Sequence, residues 1–243
     1  MEFLDSGKDL KPVTYYNEYQ SLMDSKENTI FAYEALIRSK PNTNPLTLFQ
    51  NARRKKRLYE FDTFCIQNAI KEYPTLLFQN YFLFINILPS TIIHPNFEKF
   101  IEVLLLRYSY IKGKVVFELS ENVLEQNIWE KELFSKRLSY LQSLDFRIAF
   151  DDIPTKRLSF ERINLHSPDF IKLDHTRSKG LSSSAEKQEL IALFLEFAQE
   201  KTKLVLEGIE TKADLLAAKL LGVPLLQGYF ISKPKRLSSI PDN

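Results

Sequence analysis

The chain has 243 residues, of which 44% are hydrophobic and 26% are charged, and its formal net charge at pH 7 is +2. This length fits two small domains or one α/β barrel, and the composition is that of a globular protein with a full hydrophobic core. The small net charge excludes a strong overall field that would attract nucleic acid or a membrane surface, so neither is expected as a partner.

The chain contains one cysteine, Cys65, and therefore no intrachain disulfide, which fits a reducing compartment. Residues 1–12 are polar and lack the basic and apolar regions of a signal peptide. The most apolar window, Leu76–Leu88, contains polar residues and is too short to cross a bilayer. We therefore expect a soluble cytoplasmic protein with no membrane segment, with a leader at residues 1–12 and a tail at residues 237–243.

Short apolar runs with the composition of β-strands recur along the chain. The first two, Tyr15–Met23 and Thr29–Ile37, are separated only by Asp24–Asn28. These five residues are too few for a crossover helix, so the two strands are expected to pair antiparallel. Further strands are predicted at Tyr81–Ile87, Val115–Leu119, the run that ends at Asp151, Phe170–Leu173, Lys203–Leu206 and Leu225–Tyr229.

Helical patterns fill most of the intervals between these strands. They cover Leu46–Lys56, Glu60–Glu72, Asn96–Tyr108, Glu130–Leu144, Phe160–Leu165, Ala185–Lys201 and Lys212–Leu221. This alternation predicts an α/β protein, a TIM-like (β/α)8 barrel with an antiparallel first strand, as one domain over residues 13–236. A doubly wound open sheet is the competing architecture, but it gives no reason to stop at eight strands.

Polar side chains lie at or near the carboxyl ends of the predicted strands from the second to the eighth. Each alone has an ordinary explanation, because such a carboxylate often caps the next helix and such an amide often lies in a turn. As a set they favour a site, since parallel strand ends meet at one mouth of a barrel. Their oxygen atoms favour Mg²⁺ or Mn²⁺. The set comprises Glu34, Asn86, Glu118, Asp151, Asp152, Lys172, Glu207 and Gln227.

Several of these residues belong to short motifs that follow one another in a definite order. The motifs are Glu34-Ala35-Leu36-Ile37-Arg38, Asn86, Glu118-Leu119-Ser120-Glu121, Asp151-Asp152, Ile171-Lys172-Leu173-Asp174, Glu207-Gly208-Ile209-Glu210 and Gln227-Gly228-Tyr229. Over about Tyr15–Pro234 the series resembles the EAL-domain family of cyclic di-GMP phosphodiesterases. The barrel of that family has an antiparallel first strand, in agreement with the hairpin inferred above.

The resemblance implies a metal site at the barrel mouth. Glu34, Asn86, Glu118 and Asp151 would bind one Mg²⁺ or Mn²⁺ ion, and Asp151 and Asp152 would share a second. Two adjacent carboxylates raise each other's pKa, and a divalent cation removes that cost. Two such cations can activate a water molecule for displacement at phosphorus. The implied reaction is the hydrolysis of cyclic di-GMP to linear pGpG.

The resemblance also implies roles for residues that do not bind metal. Lys172 would hold the attacking water, and Glu207 would complete the network of water and metal. Glu121 would brace the loop after the fifth strand. The dinucleotide would be held by Gln20, Arg38 and Gln227.

The loop after the fifth strand departs from the family pattern, in which it usually contains two glycines. Here it reads Ile153-Pro154-Thr155-Lys156. Glycine permits positive φ, whereas proline fixes φ and removes an N–H group. We therefore expect weaker occupancy of the second metal site, and a higher kcat when glycine replaces Pro154 and Lys156. In the family this loop leads to a dimer interface, so the resemblance also implies a homodimer through this region.

Two alternatives to hydrolysis follow from the sequence. The altered loop favours an effector that binds cyclic di-GMP without cleaving it. The basic run Arg53–Arg57 is most simply interpreted as a solvated helix face, but it could belong to an interaction protein that meets an anionic partner.

Overall fold

Eight strands form a closed barrel in the order in which they occur along the chain. The computed structural model describes residues 13–120, 123–151, 157–198 and 201–237. The strands are β1 (Thr14–Asp24), β2 (Ile30–Lys40), β3 (Phe82–Asn86), β4 (Val115–Ser120), β5 (Arg147–Asp151), β6 (Phe170–Leu173), β7 (Lys203–Leu206) and β8 (Leu225–Leu226). Neighbours from β2 to β8 are parallel, as strands joined by helices must be.

Strand β1 runs against its neighbours on both sides. It pairs antiparallel with β2, with Gln20 opposite Glu34, and it closes the barrel by pairing antiparallel with β8. The connection to β2 is tight, since Asp24 Oδ1 accepts hydrogen bonds of 3.0 Å from the N–H groups of Lys26 and Glu27. The TIM-like barrel with an antiparallel first strand is therefore confirmed.

The helices of the described segments pack around the outside of this barrel. They are α1 (Pro45–Arg54), α2 (Leu58–Glu72), α3 (Pro89–Ile92), α4 (Phe97–Arg107), α5 (Glu132–Ser143), α6 (Arg157–His166), α7 (His175–Ser178), α8 (Ala185–Ala198) and α9 (Lys212–Leu220). A 3₁₀ segment, Val123–Ile128, follows β4. Among the helices described, none has both the length and the apolar character needed to span a membrane.

The barrel interior contains one layer of buried apolar side chains, to which every strand contributes one residue. In strand order they are Leu22, Ala32, Phe84, Val116, Ala149, Phe170, Val205 and Leu225. A larger apolar cluster fills the space between the sheet and the helices. Because alternate residues of a strand face the same side, the residue two positions nearer the mouth should also face the interior. The site described below consists of those residues.

Strand and helix boundaries differ from the prediction in a few places. Strand β2 continues to Lys40, because Thr14 of β1 still pairs with it there. Strand β8 is shorter than expected, so Gln227 follows the strand instead of lying within it. The chain turns at this point, and Gly228 O accepts hydrogen bonds from the N–H groups of Ile231 and Ser232 at 3.0 and 2.9 Å. The short helices α3 and α7 and the 3₁₀ segment Val123–Ile128 were not predicted.

Candidate active site

One polar layer lies directly above the apolar layer of the barrel interior. Each member stands two positions from the apolar residue of its own strand, toward the mouth. The members are Gln20, Glu34, Asn86, Glu118, Asp151, Lys172, Glu207 and Gln227. The alternation of side chains on eight strands therefore gathers at one level the polar residues that the sequence placed near strand ends.

The ammonium group of Lys172 is the centre of this layer. Its Nζ lies 2.6 Å from Glu118 Oε1 and 2.6 Å from Glu207 Oε1. It also lies 3.4 Å from Glu34 Oε2 and 3.7 Å from Asp151 Oδ1. Lys172 is 1% exposed and Glu118 is fully buried, so these charges interact with little screening by solvent.

Burial and mutual charge shift the pKa values of the layer. Burial raises the pKa of Glu118 well above its usual value, and the nearby charge of Glu34 raises it further. Burial also raises the pKa of Glu207 to about 8, although Lys172 opposes this shift. For Lys172 burial alone lowers the pKa, but the surrounding carboxylates more than compensate and raise it well above its usual value. The lysine is therefore protonated near neutral pH.

The charges of the layer are unbalanced. Four carboxylates surround one ammonium group, so three negative charges remain in excess when all are ionised. In the described part of the chain, no three His, Cys, Asp or Glu side chains are arranged as a ready set of metal ligands, since the carboxylates are gathered around Lys172 Nζ. The donor atoms are all oxygens and carry excess negative charge. This chemistry fits a hard divalent cation.

Amide side chains orient the carboxylates. Asn86 Nδ2 donates to Glu118 Oε2 at 3.2 Å. Gln227 Nε2 donates to Glu34 Oε2 at 2.7 Å and to Gln20 Oε1 at 3.3 Å. The Oε1 atom of Gln227 is buried and has no hydrogen-bond partner within the described residues.

Arg38 lies outside the layer, on the same face of the β1–β2 hairpin and further from the apolar layer. Its Nε donates to Glu18 Oε2 at 2.9 Å, and about a quarter of its side chain is exposed. This position leaves part of the guanidinium group able to meet a ligand at the mouth.

A pocket of about 290 Å³ adjoins the polar layer, because Asn86 lines the pocket and also bonds Glu118. Its lining includes the two cations Arg38 and Arg53 and the buried carboxylate Asp62. Much of the remaining lining is apolar and includes Leu36, Leu46, Phe49 and Leu124. An apolar pocket with a few polar groups is the usual form of a site for a small organic ligand.

The structure brings together all but three of the residues singled out from the sequence. Arg38 is at the rim, while Glu121 and Asp152 lie outside the described residues, as does the loop at 153–156. The functional roles of the whole set remain predictions. Sequence reasoning missed the buried carboxylates Asp62 and Glu125, because nothing in a helical or loop pattern indicates that a charged residue is buried.

Several known proteins are similar to this chain in sequence. The cyclic di-GMP phosphodiesterase PdeF of Escherichia coli is 28% identical over 154 residues, which are 63% of this chain and 20% of that protein. The cyclic di-GMP phosphodiesterase PdeA of Borreliella burgdorferi is 25% identical over 225 residues, which are 89% of this chain and 33% of that protein. The chain thus spans between a fifth and a third of the length of these two relatives.

Solved structures share the fold. A complex of Klebsiella pneumoniae BlrP1 with calcium and cyclic di-GMP superposes with a TM-score of 0.81 at 24% identity, covering 91% of this chain and 56% of that one. The EAL domain of Mycobacterium smegmatis DcpA gives a TM-score of 0.74 at 21% identity, covering 91% of both chains. The sequence matches the EAL domain family over residues 10–234 of 243. The chain therefore belongs to the EAL domain family.

Proposed function

We propose that this chain is a metal-dependent phosphodiesterase that hydrolyses cyclic di-GMP to linear pGpG. The observation that carries the proposal is the cluster of four carboxylates around the buried ammonium group of Lys172 at the mouth of the barrel. Similarity to curated cyclic di-GMP phosphodiesterases supports the choice of substrate.

The acidic residues would hold the metal. Glu34, Asn86, Glu118 and Asp151 would bind one Mg²⁺ or Mn²⁺ ion, and Asp151 and Asp152 would share a second. When bound, such cations lower the pKa of water and stabilise negative charge at phosphorus. The excess negative charge of the layer supports this assignment, because a divalent cation offsets carboxylate repulsion that Lys172 alone leaves in place.

Lys172 would hold the attacking water and face the negative charge that develops at the phosphate. Its raised pKa keeps it protonated, so it serves as a hydrogen-bond donor and a compact cation. Glu207 lies 2.6 Å from Lys172 Nζ and would orient the ammonium group. The water oxygen would form a bond to phosphorus while the bond from phosphorus to the ribose 3′ oxygen breaks, and the water would lose one proton while the 3′ oxygen gains one to become a hydroxyl group. The product is linear and carries a 5′-phosphate.

The rim and the pocket would hold the dinucleotide. Arg38 would bind a phosphate or a guanine edge through its remaining N–H groups. The apolar pocket beside Asn86 suits a planar base. Gln227 would contribute by orienting Glu34, and Gln20 would contribute by holding the amide group of Gln227.

The effector is the second candidate, and the altered sequence at Ile153–Lys156 favours it. In an effector the same site would bind cyclic di-GMP without turnover. A homodimer through the loop after β5 remains a prediction of the sequence.

The test is incubation of the purified chain with cyclic di-GMP and Mn²⁺, followed by chromatographic separation of the products. The phosphodiesterase proposal expects pGpG from the native chain and none from Glu34→Ala with its fold intact. Binding without pGpG would instead establish the effector. Absence of binding by the folded chain would contradict both, and would favour an interaction protein that uses the basic run Arg53–Arg57.

A further inference from the structure

Three segments that follow successive strands meet at one buried carboxylate, that of Glu125. Helix α1 follows β2, helix α3 follows β3, and the 3₁₀ segment that contains Glu125 follows β4. Glu125 Oε2 accepts a hydrogen bond of 2.7 Å from Ser90 N, at the start of α3. Its Oε1 accepts one of 2.8 Å from Ser90 Oγ and another from Arg53 Nη2, at the end of α1. We call this group, Arg53, Ser90 and Glu125, the Glu125 clamp.

The burial of the clamp makes its hydrogen bonds important. The side chain of Glu125 is fully buried, whereas that of Arg53 is 39% exposed. A buried carboxylate without its cation and its donors is strongly unfavourable, so Glu125 should hold both partners in place. The first turn of α3 is held on its other side as well, since Asp62 Oδ2 accepts a hydrogen bond of 3.0 Å from Leu88 N.

The clamp forms part of the ligand pocket. Arg53 lines this pocket directly, and so do Leu124, next to Glu125, and Leu88, two positions before Ser90. Asn86 also lines it and lies four positions before Ser90. Because the carboxylate of Glu125 pairs with the guanidinium group of Arg53, the wall that Arg53, Leu88 and Leu124 form presents a paired charge to the pocket.

We propose that Glu125 is a positioning residue that fixes one wall of the ligand pocket by holding Arg53 and helix α3. The identity of the ligand, cyclic di-GMP, rests on the proposed function. The fixed wall does not, because it follows from contacts within the chain. The two parts can therefore be tested separately.

The first test measures how often this wall of the pocket opens, and it needs no ligand. Cys65 is the single cysteine, it is buried, and it lines the same pocket. Its rate of reaction with a maleimide should rise about tenfold in Glu125→Leu and in Arg53→Gln, because a loosened wall admits the reagent more often. Arg54→Gln is the matched control, since Arg54 is an exposed neighbour on α1 that bonds only Asn51 in the described segments.

A faster reaction of Cys65 could come from lower stability of the whole fold or from local opening of the pocket wall, so a control must separate the two causes. Val223→Ala removes buried apolar atoms just before β8, away from the pocket, and provides a variant with lowered stability and an intact clamp. At one temperature well below the Tm of every variant, the clamp variants should react faster than Val223→Ala. Equal rates in the clamp variants and Val223→Ala would overturn the proposal. Arg53→Gln keeps the test decisive if Glu125→Leu does not fold, because the side chain of Arg53 is partly exposed and glutamine retains an N–H donor for Glu125.

The second test measures the affinity of the chain for cyclic di-GMP. The Kd for cyclic di-GMP, measured in EDTA to prevent turnover, should rise about tenfold in Glu125→Leu, which corresponds to about 1.4 kcal/mol of lost binding free energy. Glu125→Gln retains an acceptor for Ser90 N and should recover part of this loss, whereas Arg54→Gln should match the native chain. If the native chain binds no cyclic di-GMP, the proposed function fails and the thiol measurement alone decides about the clamp. Native affinity in Glu125→Leu would contradict a role in ligand binding.

Discussion

The ammonium group of Lys172 lies where an isolated charge would be most unfavourable, since its side chain is 1% exposed. It is stable there because Glu118 and Glu207 contact it directly and two more carboxylates lie within 4 Å. The dependence is mutual, because Lys172 is the only cation that the described residues place within reach of this cluster. Removal of the lysine should therefore affect stability as well as chemistry.

Lys172→Met tests this dependence. The variant should lose turnover by at least about 100-fold and should be less stable than the native chain. Without the cation, the folded-state pKa values of Glu118 and Glu207 should rise further above their unfolded values, so stability should fall as the pH rises through them. The loss measured by urea unfolding in EDTA should thus be larger at mildly alkaline pH than at mildly acidic pH. The exposed Lys99→Met is the control, and an equal loss at both pH values would contradict the argument.

Asp62 provides a second titration, outside the polar layer. Its pKa is raised from 3.8 to about 7, mainly by burial; the charge of Glu125 adds to the rise, and the hydrogen bond from the N–H group of Leu88 opposes it. The folded state therefore holds this proton more tightly than the unfolded state. Its contribution to stability is complete at low pH and is lost as the pH rises from 3.8 to about 7.

Asp62→Asn removes this titration while it keeps an acceptor for Leu88 N. The variant should be more stable than the native chain above neutral pH, by about 2 to 4 kcal/mol, and nearly equal to it at pH values near 4. Urea unfolding across this pH range measures the difference. Asp145→Asn is the control, because Asp145 is exposed. A constant difference between native chain and Asp62→Asn at all pH values would show that Asp62 does not titrate in this way.

At the level of elements, the turns after β7 and β8 hold two residues of the polar layer, Glu207 and Gln227. The turns are bonded together, since Ile209 N donates to Gln227 O and Phe230 N donates to Ile209 O, both at 3.0 Å. Gly228 allows this approach, because a Cβ atom there would lie 2.2 Å from the backbone N and O atoms of Ile209. A side chain at this position would have to separate the two turns.

Gly228→Ala should therefore destabilise the protein by about 3 kcal/mol and reduce turnover. Gly222→Ala is the matched control: this glycine has a φ of +81°, but a Cβ atom there would meet no described atom within 4 Å, so the variant should lose only about 1 kcal/mol through backbone strain. Urea unfolding and steady-state kinetics measure both variants. Equal losses of stability would show that the contact with Ile209 relaxes easily.

The architecture was predictable from the sequence because its signals are local. Apolar runs such as Phe170–Leu173, in which Lys172 is the single polar residue, indicate buried strands. The short connection between the first two strands requires an antiparallel hairpin. The polar layer was also predictable, since the side chain of a residue near the end of a strand points either into the barrel or toward the helices. The end of β8 was not predictable, because it depends on the turn at Gly228, which packs against the backbone of Ile209 in the turn after β7.

Charges that are buried through contacts between loops were not predictable. In the sequence Arg53 is one of five consecutive basic residues, and Glu125 is a lone acidic residue between Leu124 and Gln126. Their pairing across 72 positions arises only when the barrel closes and brings the segments after β2 and β4 together. The roles of Glu121 and Asp152 remain predictions from the sequence.

At the scale of the whole molecule, the interior of the barrel consists of an apolar layer and a polar layer with different roles. The apolar layer takes one side chain from each strand and closes the interior, while the polar layer above it concentrates carboxylates from β2, β4 and β5 and the turn after β7. Packing in the first layer fixes the spacing of the strands and hence of the carboxylates in the second. Binding at the polar layer should consequently be coupled to unfolding of the entire barrel.

A divalent cation should therefore stabilise the whole chain against heat. A ligand that binds only the folded state at 100 times its Kd adds about 2.7 kcal/mol of stability. For a chain of this size, each kcal/mol raises Tm by about 2 to 4 °C, so Mn²⁺ should raise Tm by about 5 to 10 °C after dialysis against EDTA. Glu118→Gln keeps the shape of a proposed ligand but lacks its charge, and it should lose most of this shift. Glu130→Gln, at an exposed position, should retain it. An unchanged Tm for the native chain at saturating Mn²⁺ and Mg²⁺ would show that the excess carboxylates serve Lys172 alone, and the proposed metal site would be wrong.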